Sequence, residues 1–169
     1  NRFYMIYGNH DLVKKNGSYI KPLRRFPGGS AKQFQSLFKG LKMHQGLILR
    51  HSKTGAEIFL VHGHQADPFN CTLWRISRFL VRHLWKPLEA FGINDPTRAA
   101  VNNKKRNIVE TRLIRWSKNN RQMLIAGHTH RPVFPKPGDT LYFNDGSCVH
   151  PYSITAIEIS SGDNSLVKW

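Results

Sequence analysis

The stretch that decides the fold is residues 122–130, Gln-Met-Leu-Ile-Ala-Gly-His-Thr-His. Its apolar run at 124–126 predicts a short buried strand that ends at Gly127, and a histidine pair follows at once. Two other segments also join an apolar strand to glycine and histidine. They are residues 3–11, Phe-Tyr-Met-Ile-Tyr-Gly-Asn-His-Asp, and residues 58–64, Ile-Phe-Leu-Val-His-Gly-His. Strands that alternate with helices and carry polar residues at their ends predict a layered α/β fold.

Further strands are predicted on either side of these segments. The apolar runs 47–49 and 58–61 flank the turn-forming residues 52–55, which predicts a β-hairpin. From Thr140 onward, short apolar runs are separated by Asp-Gly and Ser-Gly, and this pattern predicts two or three antiparallel strands.

A helical insert is predicted between His62 and His128. Asp67-Pro68 is typical of a helix start, and the apolar and basic residues that follow predict a long amphipathic helix. A second, basic helix is predicted to end near Lys118. We place the whole insert at about 68–119.

The composition is that of one domain with an unusual charge. With 169 residues, 40% of them hydrophobic, the chain can bury a core, which excludes a disordered protein. No apolar stretch is long enough to span a bilayer, and two cysteines are too few for a disulfide-stapled secreted scaffold. Low cysteine usage favours a reducing compartment and predicts a cytoplasmic protein. Lys and Arg number 26 against 10 Asp and Glu, and the net charge of +16 predicts phosphate-bearing partners.

Histidines concentrate at the three strand ends. Five of the nine histidines lie there, in Gly8-Asn9-His10-Asp11, His62-Gly63-His64 and Gly127-His128-Thr129-His130. Ligands of α/β folds bind at the carboxyl ends of strands, so we expect these clusters to form one site. Imidazole and amide donors together suit Mn, Fe, Co or Zn. Each cluster alone is explained as well by a turn or a hydrogen-bonded core histidine, but three in this order indicate a metal site.

The ordered motifs Gly-Asn-His-Asp, His-Gly after a strand and Gly-His-Thr-His resemble the C-terminal half of the calcineurin-like metallophosphoesterase signature. The resemblance implies an α/β domain of the four-layer αββα sandwich type that hydrolyses phosphoesters with bound metal. It assigns Asn9, His62 and His128 as ligands of the second metal, and His130 as a ligand of the first.

Catalytic roles are implied by the same resemblance. His10 matches the family's catalytic histidine, which would stabilise the transition state or protonate the leaving oxygen, and Asp11 matches the carboxylate that orients it. A dinuclear metal centre would activate water for in-line attack on phosphorus. His64 is not a family ligand. It is a candidate for substrate binding or for support of the ligand histidine, with a solvated loop histidine as the alternative.

The first half of the family signature does not occur in this sequence. The family begins with Asp-x-His and Gly-Asp-x-x-Asp, and Gly138-Asp139 and Gly162-Asp163 both lack the second aspartate. We therefore interpret residues 1–169 as the C-terminal portion of a single metallophosphoesterase domain whose N-terminal part is missing from this chain. The missing N-terminal segment is an expected partner, and this portion alone is expected to be an incomplete enzyme.

Three classes of substrate fit the sequence: a nucleotide-sugar lipid, a phosphoprotein, and a small phosphomonoester or diester. Phosphatase, phosphodiesterase and pyrophosphohydrolase activities are therefore all compatible with it. The insert is laid out like that of UDP-2,3-diacylglucosamine pyrophosphohydrolases, which suggests an anionic membrane surface as a partner and a peripheral membrane location. The favoured alternative is that its apolar face packs on the sheet and its arginines are solvated. Two divalent metal ions are the expected cofactors, with Mn favoured and Fe, Zn or Co as alternatives. The alternative functions are a non-catalytic basic nucleic-acid-binding module and a nuclease of the same superfamily.

Overall fold

The computed structural model describes residues 3–9, 41, 43–67, 103–148 and 153–169. Over these residues the fold is mixed α/β, with three sheets and one α-helix. The strands are β1 (Met5–Ile6), β2 (Met43–His44), β3 (Gly46–Arg50), β4 (Glu57–Val61), β5 (Met123–Ala126), β6 (Tyr142–Asn144), β7 (Thr155–Ser160) and β8 (Asp163–Lys168). The helix is α1 (Asn103–Asn120), and a 3₁₀ turn covers His64–Ala66.

A four-stranded sheet in the order β3-β4-β5-β6 forms the centre of the fold. The predicted hairpin is confirmed, because β3 and β4 pair antiparallel from Gly46 opposite Val61 to Arg50 opposite Glu57. β4 and β5 are parallel, and Val61 opposite Ala126 is their last pair. The carboxyl ends of these two strands therefore lie side by side.

The C-terminal strands differ in part from the prediction. β7 and β8 pair antiparallel, as expected. The prediction was wrong for β6, which pairs parallel with β5 in the central sheet. A parallel pair needs a connection of about a dozen residues or more, and the segment 127–141 is long enough to return the chain to the starting end of β5.

The helix α1 packs on the central sheet and confirms the predicted second helix of the insert. Its buried residues recur every three or four positions, as a helix that covers a sheet requires. Val109 and Leu113 form the main buried cluster with three residues of the sheet, Leu124, Ala126 and Tyr142. The predicted first helix lies outside the described residues. Within the described part of the chain, no helix is long and apolar enough to cross a bilayer.

A second, two-stranded sheet lies beside the central one. β1 and β2 pair parallel, and the amide of Tyr7 donates to the His44 carbonyl at 3.0 Å. β2 was not predicted, because a strand of two residues carries no periodicity. Only Gln45 separates β2 from β3, so the small sheet is fixed to the edge of the central sheet. This attachment brings the end of β1 towards the end of β4.

Candidate functional site

Two of the three predicted clusters meet where β4 and β5 end side by side, and we call this end of the sheet the site edge. His62 follows β4 directly, and its carbonyl accepts a hydrogen bond of 3.1 Å from the Gly127 amide, which follows β5. This bond continues the parallel pairing one step beyond the last strand residues. It places His62 and His128 next to each other although they are far apart in the sequence, and their ring centroids are 5.1 Å apart.

The third cluster reaches this edge through Gly8. A Cβ atom at Gly8 would lie 2.7 Å from Nε2 of His62, closer than non-bonded atoms approach, so only glycine fits here without a shift. Tyr7 also contacts the site, with its ring centroid 5.9 Å from that of His64. Asn9 follows Gly8 and is half-buried. The structure therefore brings Gly8, the residue before the Asn-His-Asp motif, against the imidazole of His62.

Three imidazoles pack together at this edge. The ring of His64 lies 5.3 Å from that of His62 and 6.5 Å from that of His128, measured between centroids. Nδ1 of His64 and Nδ1 of His62 are 3.3 Å apart, so one of them carries the shared proton. His64 is 2% exposed, which excludes the alternative of a solvated loop histidine. Its place beside His62 fits support of that side chain.

The loop Gly127–His130 has an unusual backbone. His128 has φ of 68° and His130 has φ of 56°, in the left-handed region that residues other than glycine rarely adopt. Between them Thr129 is 1% exposed, and its amide donates to the Gly127 carbonyl at 2.8 Å. His128 is buried whereas His130 is exposed. The two histidines of this loop therefore lie in different surroundings, His128 inside the protein and His130 at its surface.

Buried hydrogen bonds from Asn144 hold this loop in place. The Asn144 side-chain amide lies 2.9 Å from the Gly127 carbonyl, 3.1 Å from Oγ1 of Thr129 and 3.0 Å from the Tyr142 hydroxyl. Its two hydrogens serve two of these three acceptors at a time. Its oxygen accepts from the Gly146 amide at 2.9 Å. Asn144 is fully buried, so these bonds are not exchanged for bonds to water.

Glu110 supports the loop from the helix side. Oγ1 of Thr129 donates to Glu110 at 3.0 Å, and the Arg131 guanidinium pairs with the other carboxylate oxygen. Glu110 is 5% exposed. The sequence interpretation missed both Glu110 and Asn144. A signal for Glu110 existed, because it is the single acidic residue of α1 and directly follows the buried Val109.

Burial raises the pKa of two side chains, that of Tyr142 on β6 and that of Asp145 directly after it. Burial raises the pKa of the Tyr142 hydroxyl to about 12, against the opposing effect of its hydrogen bond with Asn144. Burial also raises the pKa of the Asp145 carboxyl to about 6, although the residue as a whole is exposed. One oxygen of this carboxylate lies against Gly127, 3.0 Å from where a Cβ would stand. Tyr142 is therefore a neutral donor or acceptor across the physiological range.

The donors present fit a divalent metal by their chemistry. Imidazole nitrogens and an amide oxygen suit Mn, Fe, Co or Zn. Nε2 of the buried His128 makes no hydrogen bond among the described residues, although the Asp67 carboxylate lies 3.5 Å from it, and Nδ1 is the other possible metal donor of this ring. Within those residues, however, no three His, Cys, Asp or Glu side chains group closely enough to hold a metal ion by themselves. The described edge therefore supplies part of a donor set. The predicted catalytic residues His10 and Asp11 lie outside the described residues.

A family model described as calcineurin-like phosphoesterase matches residues 1–132, which include all three predicted clusters. No curated protein matches the chain. The matched region contains β1 to β5, α1 and the histidine edge between them. The resemblance seen in the motifs is thus confirmed over most of the sequence, and the chain belongs to the calcineurin-like phosphoesterase family.

Proposed function

We propose that this protein hydrolyses phosphoesters with a dinuclear metal centre built partly from Asn9, His62, His128 and His130. The observation that carries the proposal is the contact of His62 and His128, 5.1 Å between ring centroids, on the edge where the family motifs meet. Family membership supports metal-dependent phosphoester hydrolysis in general. The use of two ions, and the roles of the individual residues, are our proposal.

The residues of the edge would hold the metal and keep it oriented. Bound divalent ions would supply Lewis acidity, which activates water and neutralises charge on the phosphoryl group. Nε2 of His62 lies against Gly8, the residue before Asn9, while its Nδ1 lies 3.3 Å from Nδ1 of His64. We propose that His62 and Asn9 bind the same ion, since Gly8 brings their two segments together. His10 and Asp11 follow Asn9 in the sequence, and we propose that they hold and move the proton of the leaving oxygen.

The complete domain is proposed to be a four-layer αββα sandwich with a helical insert at about 68–119. The packing of α1 on the mixed central sheet supports one half of such a sandwich. We propose Mn as the favoured metal because of the mixed nitrogen and oxygen donors. A cytoplasmic location is proposed from the low cysteine usage.

The substrate is proposed to be a phosphate ester at or near an anionic surface. α1 is the described part of the basic insert, and Lys104, Arg115 and Lys118 on it are exposed. These cations would attract phosphate groups over about a Debye length, roughly 8 Å at physiological ionic strength. An anionic membrane fits this surface, and sedimentation with anionic and neutral lipid vesicles measures the preference.

The activity test compares histidines on the site edge with a histidine outside it. In the full-length protein with Mn²⁺, we expect hydrolysis of bis(p-nitrophenyl) phosphate or p-nitrophenyl phosphate. His62→Ala and His128→Ala should each reduce kcat/KM by roughly 100-fold or more, since even outer partners of metal ligands cost about 10–100-fold.

The control is His51→Ala, because His51 lies in the exposed turn of the β3–β4 hairpin. It should keep its activity. Equal loss in all three variants, or no metal-dependent hydrolysis in the unchanged protein, would contradict the proposed function. Salt-sensitive DNA binding without hydrolysis would favour the nucleic-acid-binding alternative instead.

A further inference from the structure

A buried carboxylate beside the site has no role in the family assignment of residues. Asp67 follows the 3₁₀ turn, and its amide donates to the His64 carbonyl at 3.0 Å. Its side chain is 1% exposed. Burying a carboxylate costs several kcal/mol unless partners compensate its charge. The identity of those partners therefore indicates why an aspartate is placed here.

A lysine from α1 and the buried histidine of the site lie close to the Asp67 carboxylate. Oδ2 of Asp67 lies 3.5 Å from Nζ of Lys105 and 3.5 Å from Nε2 of His128. The side chain of His128 is 5% exposed. A hydrogen bond between nitrogen and oxygen is normally about 2.7–3.2 Å long, so a shift of a few tenths of an ångström closes this one.

We propose that Asp67 is a positioning residue that orients His128 as a metal ligand. The carboxylate accepts the Nε2 proton of His128, which leaves the lone pair of Nδ1 for the metal. Such an outer carboxylate fixes the tautomer and the ring orientation of a histidine and makes it a stronger ligand. Lys105 compensates the charge of the carboxylate, with Nζ 3.5 Å from the same oxygen. The inference rests on the proposed function, because it takes His128 to be a metal ligand.

A purely structural role would be the attachment of the 3₁₀ turn to α1. That attachment is already made by Arg112, whose guanidinium donates to the Ala66 carbonyl at 3.0 Å. It needs neither a carboxylate nor a contact with His128. A structural role predicts that substitution of Asp67 lowers stability and leaves the metal affinity of the folded protein unchanged, so metal affinity separates the two roles.

The experiment measures Zn²⁺ affinity by isothermal titration calorimetry on the full-length protein. Asp67→Asn keeps an oxygen that accepts the proton and should weaken Zn²⁺ binding about 10-fold, whereas Asp67→Ala should weaken it by up to about 100-fold. The matched control is Asp139→Asn, an exposed loop carboxylate, which should bind as the unchanged protein does. Circular dichroism of the metal-free variants establishes that they are folded.

A second measurement keeps the inference testable if both Asp67 variants fail to fold. In Zn²⁺-loaded protein with ¹⁵N-labelled histidine, His128 should show a protonated Nε2 and a metal-bound Nδ1. A protonated Nδ1, or folded Asp67 variants with unchanged affinity, would overturn the inference alone. Failure of the unchanged protein to bind metal would instead overturn the proposed function, and the inference with it.

Discussion

The central sheet has two ends, and each reverses the chain with residues at positive φ. At the hairpin end, the turn 51–56 is exposed, and His51 bonds only locally, with Nδ1 2.8 Å from Oγ1 of Thr54. In this turn the residue with positive φ is Gly55, at 72°, where a Cβ would meet nothing within 4 Å. At the site end, the same region of backbone space is occupied by His128 and His130.

The difference lies in what each backbone conformation costs and in what holds it in place. A glycine in an exposed turn adopts positive φ at little cost, and no other element has to hold it. Two histidines at positive φ cost of order 1 kcal/mol or more each and persist only where the surroundings fix them. The site end provides this through Asn144 and Glu110, both buried and both bonded to the loop. Strain in the loop 127–130 is thus matched by a buried polar network, whereas the turn 51–56 is exposed throughout.

The largest effect on this comparison is expected from Asn144→Ala. The substitution leaves the Gly127 carbonyl and the Gly146 amide without their side-chain partner inside the protein. Each buried group left unsatisfied costs about 1–3 kcal/mol, so the free energy of unfolding should fall by roughly 2–6 kcal/mol. Urea denaturation of the metal-free protein measures it.

The matched control for this loss is Asn120→Ala, at the exposed end of α1, where the amide donates to the Trp116 carbonyl. It should change stability by less than about 0.5 kcal/mol. A similar small change for Asn144→Ala would break the comparison, because the loop would then hold its shape without the network.

The sequence predicted the strands and the helix next to the site better than the tertiary contacts that hold the site in place. Strand β5, the hairpin β3–β4 and the position of α1 were predictable, because each has an apolar run of the right period. β2 and the parallel direction of β6 were not, since both depend on pairing with distant strands. Asp67 was interpreted only as a helix cap, and its contact with His128 depends on tertiary packing that no local pattern encodes.

A smaller effect is expected from exchanging the residue types of the two ends. His130→Gly should stabilise the metal-free protein by roughly 0.5–1 kcal/mol, because glycine adopts φ of 56° without strain. Gly55→Ala should destabilise it by about the same amount, since alanine at φ of 72° is strained even in open space.

Thermal unfolding of the metal-free variants measures both changes. Weakened metal binding in His130→Gly, with unchanged binding in Gly55→Ala, would show that the strained position carries a metal ligand. A destabilised His130→Gly variant would instead show that the histidine at this position stabilises the loop, and would contradict the assignment of strain.

The smallest effect is expected from Asp145→Asn and depends on pH. The folded-state pKa of about 6 lies above the ordinary 3.8, so the folded protein favours the protonated carboxyl. This contribution to stability is complete below about pH 3.8 and is lost as pH rises through about 6. Asparagine imitates the protonated form, so the variant should gain stability over the unchanged protein between about pH 5 and pH 7.

Solvent screening keeps this gain small, because Asp145 as a whole is exposed. Urea midpoints at both pH values measure it, with Asp139→Asn as the exposed control. A gain that is the same at both pH values would show that charge at Asp145 is not its cause.

The contact of His62 with His128 has a consequence for the life of the protein in the cell. The two residues are 66 positions apart, so the unfolded chain does not hold them together and has no preformed pair of donors. An ion that binds only the folded form stabilises it by mass action, by about 2.7 kcal/mol at a free concentration 100 times its Kd. The supply of metal would then govern the abundance of the folded protein as well as its activity, because chaperones and proteases act on the unfolded fraction.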